Sequence, residues 1–265
     1  MPPRIPPAEG DERGAWRDRA GAPPAVELGG ARIVAVFQPI VHLAERRVIG
    51  YEALARPVVR GRPVAPDRWL DAAARGGWGS RADRACLSAV EAALADLAPW
   101  PETLHLFVNL RWSTIADPDA LGTHWEALSR WVPRRLLVAE VAEHGIRDMP
   151  AWVGVRERYP GIVWAQDDLG AGEADLVRWV ALRPAWVKVD RALVAGAVED
   201  STARTVMRAL VDAAHAEGAR VIAEGVETAA QAEMLEALGF DAGQGYWFAR
   251  PAYPPPVLPA PGRLG

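Results

Sequence analysis

Two adjacent aspartates, Asp167 and Asp168, follow a short apolar run from Ile162 to Ala165 and precede a glycine-containing loop. The run is too short for a helix and rich in strand-forming residues, which predicts a β-strand that delivers two carboxylates to its end. Neighbouring strand residues point to opposite faces, so both carboxylates can share one centre only where the strand ends and the backbone turns. Ionised carboxylates held that close repel each other, and a divalent cation removes the repulsion. The alternative is that Asp168 caps a helix beginning near Glu173 or closes a turn.

Length and composition favour one barrel-sized cytoplasmic domain. The chain has 265 residues and a formal net charge of −4, so it offers no basic field for polymeric nucleic acid or an anionic membrane. It has one cysteine, Cys86, and no apolar run near the roughly 20 residues that span a bilayer. Residues 1–30 and 253–265 are rich in proline, and the first segment also in charge, which predicts a disordered tail on each side of a folded unit at 31–252.

Within that unit, apolar runs alternate with helical patterns, which is typical of a βα-repeating sheet. The predicted strands cover residues 33–38, 48–53, 104–109, 136–140, 163–167, 186–189, 220–223 and 244–248. The long interval after the second strand has room for two helices, 66–75 and 80–97, which predicts an extra helical lobe. Eight strands with intervening helices predict an α/β fold, a TIM-like (β/α)8 barrel.

The first two strands are predicted to be antiparallel. Gln38 and Glu52 are 14 residues apart, whereas a parallel crossover needs about a dozen residues beyond the strands themselves. A hairpin whose turn is centred near Glu45 places Gln38 opposite Glu52, because both lie seven residues from that centre.

Each predicted strand carries a polar residue at or near its end. These residues are Gln38, Glu52, Asn109, Glu140, Asp167, Lys188, Glu224 and Gln244. Any one of them could be a turn residue or a helix cap. In a barrel, however, all of them converge at the mouth, where active sites are built from the ends of several strands.

The residue types in this set indicate which ions it would bind. The oxygen donors are Glu52, Glu140, Asp167, Asp168, Glu224 and the amide of Asn109. The five histidines are scattered, so no histidine or cysteine cluster accompanies these donors, and oxygen-only ligation favours magnesium, manganese or calcium over zinc. With Asp167 as a bridge, the set could hold two cations about 3.5–4 Å apart, as in phosphoryl chemistry. Lys188 adds the positive charge that a phosphate requires.

The same residues lie in eight short motifs that occur in order between Phe37 and Pro251. They read Phe37-Gln-Pro-Ile-Val, Gly50-Tyr-Glu-Ala-Leu-Ala-Arg56, Val108-Asn-Leu, Val138-Ala-Glu-Val-Ala-Glu143, Asp167-Asp-Leu-Gly-Ala-Gly, Val187-Lys-Val-Asp-Arg191, Ile222-Ala-Glu-Gly-Val-Glu-Thr228 and Gln244-Gly-Tyr. In these motifs the chain resembles the EAL-domain cyclic di-GMP phosphodiesterase family. The resemblance covers nearly the whole predicted folded unit.

The resemblance implies a role for each residue. Glu52, Asn109, Glu140 and Asp167 would bind a first metal ion, and Asp167, Asp168 and Glu224 a second. Lys188 would orient the attacking water, and Glu224 with Gln244 would handle protons. The residues implied to contact substrate are Gln38 and Arg56 at the phosphates and Asp190 and Pro251 at guanine. Glu143 and Glu227 would anchor loops.

The activity implied by the resemblance is hydrolysis of cyclic di-GMP to linear pGpG by two-metal-assisted attack of water, with Mg²⁺ or Mn²⁺. The resemblance also implies a homodimer. No sensor domain is recognised in the sequence, so control is expected from a regulatory protein partner, from expression or from the substrate itself. The loop from Leu169 to Asp175 departs from the family pattern and adds two acids, and Ala142 replaces the usual Thr. Two alternatives are a non-catalytic cyclic di-GMP receptor that signals through a protein partner and another metal-dependent barrel enzyme for a phosphorylated metabolite.

Overall fold

An eight-stranded closed barrel forms the centre of the fold in the computed structural model, which describes residues 22–141, 149–170 and 175–256. The strands are β1 Ala25–Leu28, β2 Ala31–His42, β3 Arg47–Val59, β4 Arg62–Pro63, β5 His105–Leu110, β6 Leu137–Val141, β7 Val163–Leu169, β8 Trp186–Val189, β9 Arg220–Ala223 and β10 Ala242–Gly243. The sheet runs in the order β1-β2-β10-β9-β8-β7-β6-β5-β3-β4, and a further β2–β3 pairing closes the barrel. The prediction of a TIM-like barrel is therefore confirmed.

β2 is the strand that breaks the parallel pattern. It pairs antiparallel with β3 on one side and with β10 on the other, while the remaining barrel neighbours are parallel. Gln38 lies opposite Glu52 in the β2–β3 register. The predicted pairing of Gln38 with Glu52 is confirmed, but equal distances from the turn do not produce it. The pairs nearest the turn, His42 with Arg47 and Val41 with Val48, are centred between residues 44 and 45, and a register shift between Ile40 and Val41 then brings Gln38 opposite Glu52.

The helices surround the barrel in chain order. They are α1 Pro66–Arg75, α2 Gly79–Leu97, α3 Trp112–Ile115, α4 Pro118–Ser129, α5 Met149–Arg158, α6 Asp175–Leu182, α7 Arg191–Ala197, α8 Ser201–Ala216 and α9 Ala229–Ala237, with a 3-10 turn at Arg134–Leu136. The helical lobe is formed by α1 and α2, whose Trp69 and Ala85 pack in one cluster with Ile33 of β2. No helix within the described residues has the length and apolar character needed to cross a membrane.

A layer of apolar side chains fills the barrel beneath the mouth. It consists of Ile40, Ile49, Phe107, Val138, Ala165, Trp186, Ile222 and Ala242. Because strand side chains alternate between faces, the residue two positions further along a parallel strand points into the same interior, one layer nearer the mouth. Phe107 therefore precedes Asn109, and Trp186 precedes Lys188, on one face. The strand-end polar residues stand on a hydrophobic floor.

The predicted last strand, 244–248, is wrong. The strand is Ala242–Gly243, and the backbone N–H of Gln244 donates to the carbonyl of Ala223 at 2.8 Å just beyond it. The chain then turns at Gly245, where an added Cβ would lie 2.1 Å from the carbonyl oxygen of Val226. The aromatic run after Gly245 has strand-like composition, but this close approach of two backbones turns it away from the sheet.

The predicted tail boundaries are also wrong at both ends. Ala25–Leu28 forms a strand that pairs with β2 through a turn at Gly29 and Gly30, both of which have positive φ. At the other end, Tyr253 is buried, and the chain keeps contacts with the barrel as far as Pro256. Residues 1–21 and 257–265 lie outside the described residues.

Candidate active site

A single buried ammonium lies among four carboxylates at the barrel mouth. Lys188 Nζ is 2.7 Å from Glu224 Oε1, 2.9 Å from Asp167 Oδ1, 3.1 Å from Glu140 Oε1 and 3.4 Å from Glu52 Oε2. The Lys188 side chain is 1% exposed and that of Glu140 is 0% exposed. Lys188 is also the only lysine in the sequence, where every other strongly basic side chain is arginine. The fold therefore places four acidic side chains, each in or directly after a different strand, next to the Lys188 ammonium.

A β-bulge explains how Asp167 and Asp168 reach the same centre. Gln166 pairs with Val187 and Leu169 with Val189, so the two aspartates of β7 stand against the single residue Lys188 of β8. Asp168 has a φ of 55°, in the left-handed region that aspartate tolerates better than most residues. The expectation that the strand ends at the aspartates is wrong, because β7 continues to Leu169. The bulge supplies the turn that a strand end was expected to provide.

Glu224 completes a triad with these two residues. It follows β9 directly, and its backbone N–H donates to the Val189 carbonyl at 3.0 Å. One carboxylate oxygen each from Asp167, Asp168 and Glu224 can be chosen so that all three lie within 4.8 Å of one another. Such a spacing suits three ligands of one cation.

Side-chain amides hold the carboxylate of Glu52 from two sides. Asn109 donates from Nδ2 to Glu52 Oε1 at 2.7 Å, and Gln244 donates from Nε2 to Glu52 Oε2 at 2.7 Å. The Gln244 amide also contacts Gln38 Oε1 at 3.3 Å, and Gln38 donates to the carbonyl of Ala249 at 3.2 Å. Glu52 is therefore fixed in direction by a chain of hydrogen bonds.

The charges in this cluster shift one another's pKa values. Burial and the neighbouring acids raise the pKa of Glu140 well above its usual value, and they raise that of Glu224 to about 8 despite the opposing Lys188 ammonium. Burial and the adjacent Asp167 raise the pKa of Asp168 to about 6. Burial opposes ionisation of Glu52 and Lys188 too, yet their opposite charges outweigh it, so the pKa of Glu52 falls and that of Lys188 rises.

The donor set fits divalent cations. Four carboxylates surround the Lys188 ammonium, and a fifth, that of Asp168, lies beside Asp167 and Glu224. Five carboxylates and one ammonium leave a formal charge of −4, which two divalent cations would neutralise. In addition, Glu140 Oε2 is buried and finds no hydrogen-bond donor among the described residues. Buried acceptors normally have a partner. A hard cation bound by oxygen atoms would satisfy this one.

Three further predicted substrate contacts are Arg56, Asp190 and Pro251, which we call the rim residues. Arg56 lies four residues beyond Glu52 on β3, on the same face by strand alternation, and its Nη1 donates to the Ala55 carbonyl at 3.0 Å. Asp190 caps α7, accepting from the backbone N–H of Ala192 at 2.8 Å, and it lies close enough to help raise the pKa of Asp168. Pro251 is half-buried and precedes the residue that bridges to Phe37.

Of the two predicted loop anchors, Glu143 and Glu227, the structure describes only Glu227. Glu143 lies outside the described residues, as do Ala142 and residues 171–174 of the unusual loop. Glu227 is exposed, and its backbone N–H donates to Gln231 Oε1 at 2.7 Å within the capping box of α9. The anchoring roles of Glu143 and Glu227 stay predictions.

The carbonyl of Ala249 is one group near the site that sequence patterns could not identify. A backbone oxygen has no signature in residue type, so only the fold shows that Ala249 accepts from Gln38. The sequence does contain an indirect signal for Ala249. Gln244 and Pro251 are both predicted site residues and lie only seven positions apart, so the residues between them are expected near the barrel mouth.

These features define an α/β-barrel protein with an acidic, cation-suited site at the carboxyl ends of its strands. The chain belongs to the EAL domain family, whose model matches residues 25–251. It is 32% identical over 244 residues to Uncharacterized protein Rv1357c of Mycobacterium tuberculosis, covering 85% of this chain and 77% of that protein. It is 26% identical to Probable cyclic di-GMP phosphodiesterase PdeG of Escherichia coli, covering 84% of this chain and 45% of PdeG.

Solved structures show the same relationship. The PaMucR phosphodiesterase in complex with c-di-GMP matches with a TM-score of 0.73 and 27% identity, covering 83% of this chain and 92% of that one. BlrP1 of Klebsiella pneumoniae, in a manganese and cyclic di-GMP complex, matches with a TM-score of 0.71 and 28% identity, covering 86% and 58%. The chain spans less than two thirds of several curated relatives, including 30% of a protein from Azorhizobium caulinodans.

Proposed function

We propose that this chain is a cyclic di-GMP phosphodiesterase that hydrolyses its substrate to linear pGpG with two divalent cations, Mg²⁺ or Mn²⁺. The observation that carries the proposal is the convergence of four carboxylates on the buried ammonium of Lys188 at the mouth of an EAL barrel. Relatives named as cyclic di-GMP phosphodiesterases, and a similar structure that contains manganese with cyclic di-GMP, support the same substrate class.

The cations would be held by two overlapping sets of residues. Glu52, Asn109, Glu140 and Asp167 would hold one, and Asp167, Asp168 and Glu224 the other. When bound, the cations would supply a nucleophilic water at neutral pH and neutralise charge on the phosphate and the leaving oxygen.

The chain's own residues would orient the attacking water, counter the charge of the phosphate and exchange protons. The Lys188 ammonium would orient the attacking water and counter the charge of the phosphate, and Glu224, whose pKa is raised to about 8, can accept or return a proton near neutrality. The amides of Asn109 and Gln244 keep Glu52 in one direction. Beneath them, the floor that contains Phe107 and Trp186 excludes water from below.

The rim residues and Gln38 would bind the rest of the dinucleotide. Gln38 and Arg56 would contact the phosphates, and Asp190 and Pro251 would contact guanine. The proposal includes a cytoplasmic homodimer under the control of a regulatory protein partner. Leu176 and Val180 of α6 are 62% and 63% exposed, which leaves apolar surface that a second copy would cover.

The test is a turnover assay with cyclic di-GMP in Mg²⁺, Mn²⁺ or Ca²⁺, with pGpG measured by chromatography. We expect pGpG with Mg²⁺ or Mn²⁺ and little or none with Ca²⁺. Glu52→Gln should lower kcat by a factor on the order of 10³. Glu45→Gln on the exposed turn of the same hairpin is the matched control and should retain activity. Binding of cyclic di-GMP without hydrolysis would contradict the proposed enzyme and favour the non-catalytic receptor instead.

A further inference from the structure

The last described segment, residues 249–256, contacts three elements of the fold, and we call it the C-terminal strap. Ala252 exchanges two backbone hydrogen bonds with Phe37 of β2, at 2.9 and 3.0 Å. Tyr253 reaches α2, and the Pro256 carbonyl accepts from the hydroxyl of Tyr51 on β3 at 2.8 Å. The strap thus pairs with β2 through an antiparallel bridge between Ala252 and Phe37.

Tyr253 is the main side-chain anchor of the strap. Tyr253 is 8% exposed, and the centroid of its ring lies 6.4 Å from that of Phe37. Its hydroxyl donates to Oδ2 of Asp96 near the end of α2. Burial and the Asp96 carboxylate raise the pKa of Tyr253, so the hydroxyl stays protonated and remains a donor. This contact joins the strap to an element outside the barrel.

The other end of the strap touches the active site. The Ala249 carbonyl accepts from Gln38 Nε2 at 3.2 Å, which leaves Gln38 Oε1 to accept from Gln244 Nε2 at 3.3 Å. Gln244 Nε2 in turn donates to Glu52 Oε2 at 2.7 Å. Each amide has one donor end and one acceptor end. If Gln38 turned over, its NH₂ group would face the NH₂ group of Gln244, and the chain of hydrogen bonds to Glu52 would break.

We propose that Tyr253 and Asp96 are positioning residues that act on the site through the strap. By holding the strap against β2 and α2, they keep the Ala249 carbonyl where it orients Gln38. Gln38 then orients Gln244, and Gln244 orients Glu52. For its kinetic readout this inference rests on the proposed phosphodiesterase function, whereas the coupling itself is a property of the fold.

The first experiment compares Tyr253→Phe with wild type by hydrogen–deuterium exchange and by kinetics. We expect faster exchange in peptides that cover residues 31–38 and 249–256. We also expect KM for cyclic di-GMP to rise about three- to tenfold with a smaller change in kcat, the factor expected for losing one hydrogen bond. Tyr159→Phe, which removes a buried hydroxyl that has no hydrogen-bond partner among the described residues, is the matched control. Asp96→Asn keeps an acceptor for Tyr253 and should stay near wild type.

The second experiment tests the coupling in the opposite direction and without substrate. Coupling between two sites is reciprocal, so Gln38→Ala should speed exchange at Ala252 and Tyr253 while leaving peptides of α8 unchanged. An unchanged strap in Gln38→Ala, or a loosened strap in Tyr253→Phe with wild-type KM and kcat, would overturn the inference. Absence of hydrolysis in the wild type would instead count against the proposed function, and the exchange results would still decide the coupling.

Discussion

Lys188 Nζ lies 2.7 Å from Glu224 Oε1, the shortest of its four contacts with buried or half-buried acids. A lysine is strongly hydrated in the unfolded chain, so its burial is tolerated only because these acids surround it. Without bound cations, the same ammonium is what separates mutually repelling carboxylates. Lys188 therefore has a structural role in the metal-free protein in addition to its proposed part in hydrolysis.

Replacing this lysine should destabilise the metal-free protein. We expect Lys188→Met to lower the free energy of unfolding in a chelator by about 3 kcal/mol, because it leaves buried carboxylates unpaired. Urea denaturation measures the change. Arg46→Met, which removes an exposed pair with Glu236, is the control and should cost about 1 kcal/mol or less. Mn²⁺ should stabilise Lys188→Met more than wild type, and equal stability of the two proteins in chelator would contradict the structural role.

The acidic cluster should make the metal-free protein less stable as pH rises from acidic to neutral values. The pKa of Glu224 rises from 4.5 to about 8 on folding, so the folded state binds the proton more tightly than the unfolded chain. Its contribution to stability is complete below the unfolded pKa and is lost as pH rises through the folded value. Asp168, with its pKa raised to about 6, acts in the same direction.

Thermal denaturation in chelator should therefore show Tm falling between about pH 5 and pH 8. Saturating Mn²⁺ should flatten the decline, since cations bind the ionised carboxylates and compete with protons. Glu224→Gln should also flatten it, whereas Glu233→Gln on the exposed side of α9 should not. A decline of the same size in Glu224→Gln would exclude Glu224 as its source.

Asp168 should show opposite effects on stability and on activity. Asp168→Asn removes a carboxylate that burial and Asp167 disfavour, and asparagine also tolerates a φ of 55°. We expect an unchanged or higher Tm in chelator, together with a loss of kcat/KM on the order of 10²-fold or more. Asp168→Val removes the same charge but strains the backbone, so it should lower Tm. A lower Tm in Asp168→Asn would mean that the carboxylate stabilises the bulge.

Gly245 should be essential to the turn that presents Gln244. A Cβ added at Gly245 would lie 2.1 Å from the carbonyl oxygen of Val226 and 2.3 Å from the backbone nitrogen of Val226. Neither backbone atom can move freely. Gly245→Ala should cost about 2 kcal/mol or more and reduce activity. Gly122→Ala in α4, where nothing lies within 4 Å of the added Cβ, should be neutral or stabilise by about 0.5–1 kcal/mol. Equal unfolding midpoints for the two variants would refute the steric argument.

Much of this fold can be predicted from spacing alone. The distance from Gln38 to Glu52 permits only a hairpin, and the structure shows one, although the register that pairs these two residues also depends on a shift between Ile40 and Val41 that spacing alone does not reveal. The bounds of β8 and β9 match the predicted 186–189 and 220–223, because each is a short segment dominated by apolar strand-forming residues. Period-two alternation then places Asn109, Glu140 and Lys188 on the interior face.

Features that depend on a partner strand could not be predicted. The bulge at Asp167 and Asp168 exists only in the register with β8, and nothing in the residues of β7 alone distinguishes it from a strand end. The contacts of the strap could not be predicted either, because its prolines suggest a loose tail. The hydroxyl of Tyr253 is instead bonded to Asp96, which is 157 positions away in the chain. By contrast, β1 had a usable signal, because Gly29-Gly30 between two apolar runs is typical of a two-residue hairpin.

The uniqueness of Lys188 gives this protein an internal reporter. Because its other strongly basic side chains are arginines, reagents that acylate side-chain amines have one target in the whole sequence, and that target is 1% exposed in the centre of the cluster. The rate at which such a reagent modifies Lys188 therefore measures how often the barrel mouth opens to solvent. Peptide mass spectrometry separates this product from acylation of the N-terminal amino group, so the reading comes from a single known side-chain atom with no label to introduce.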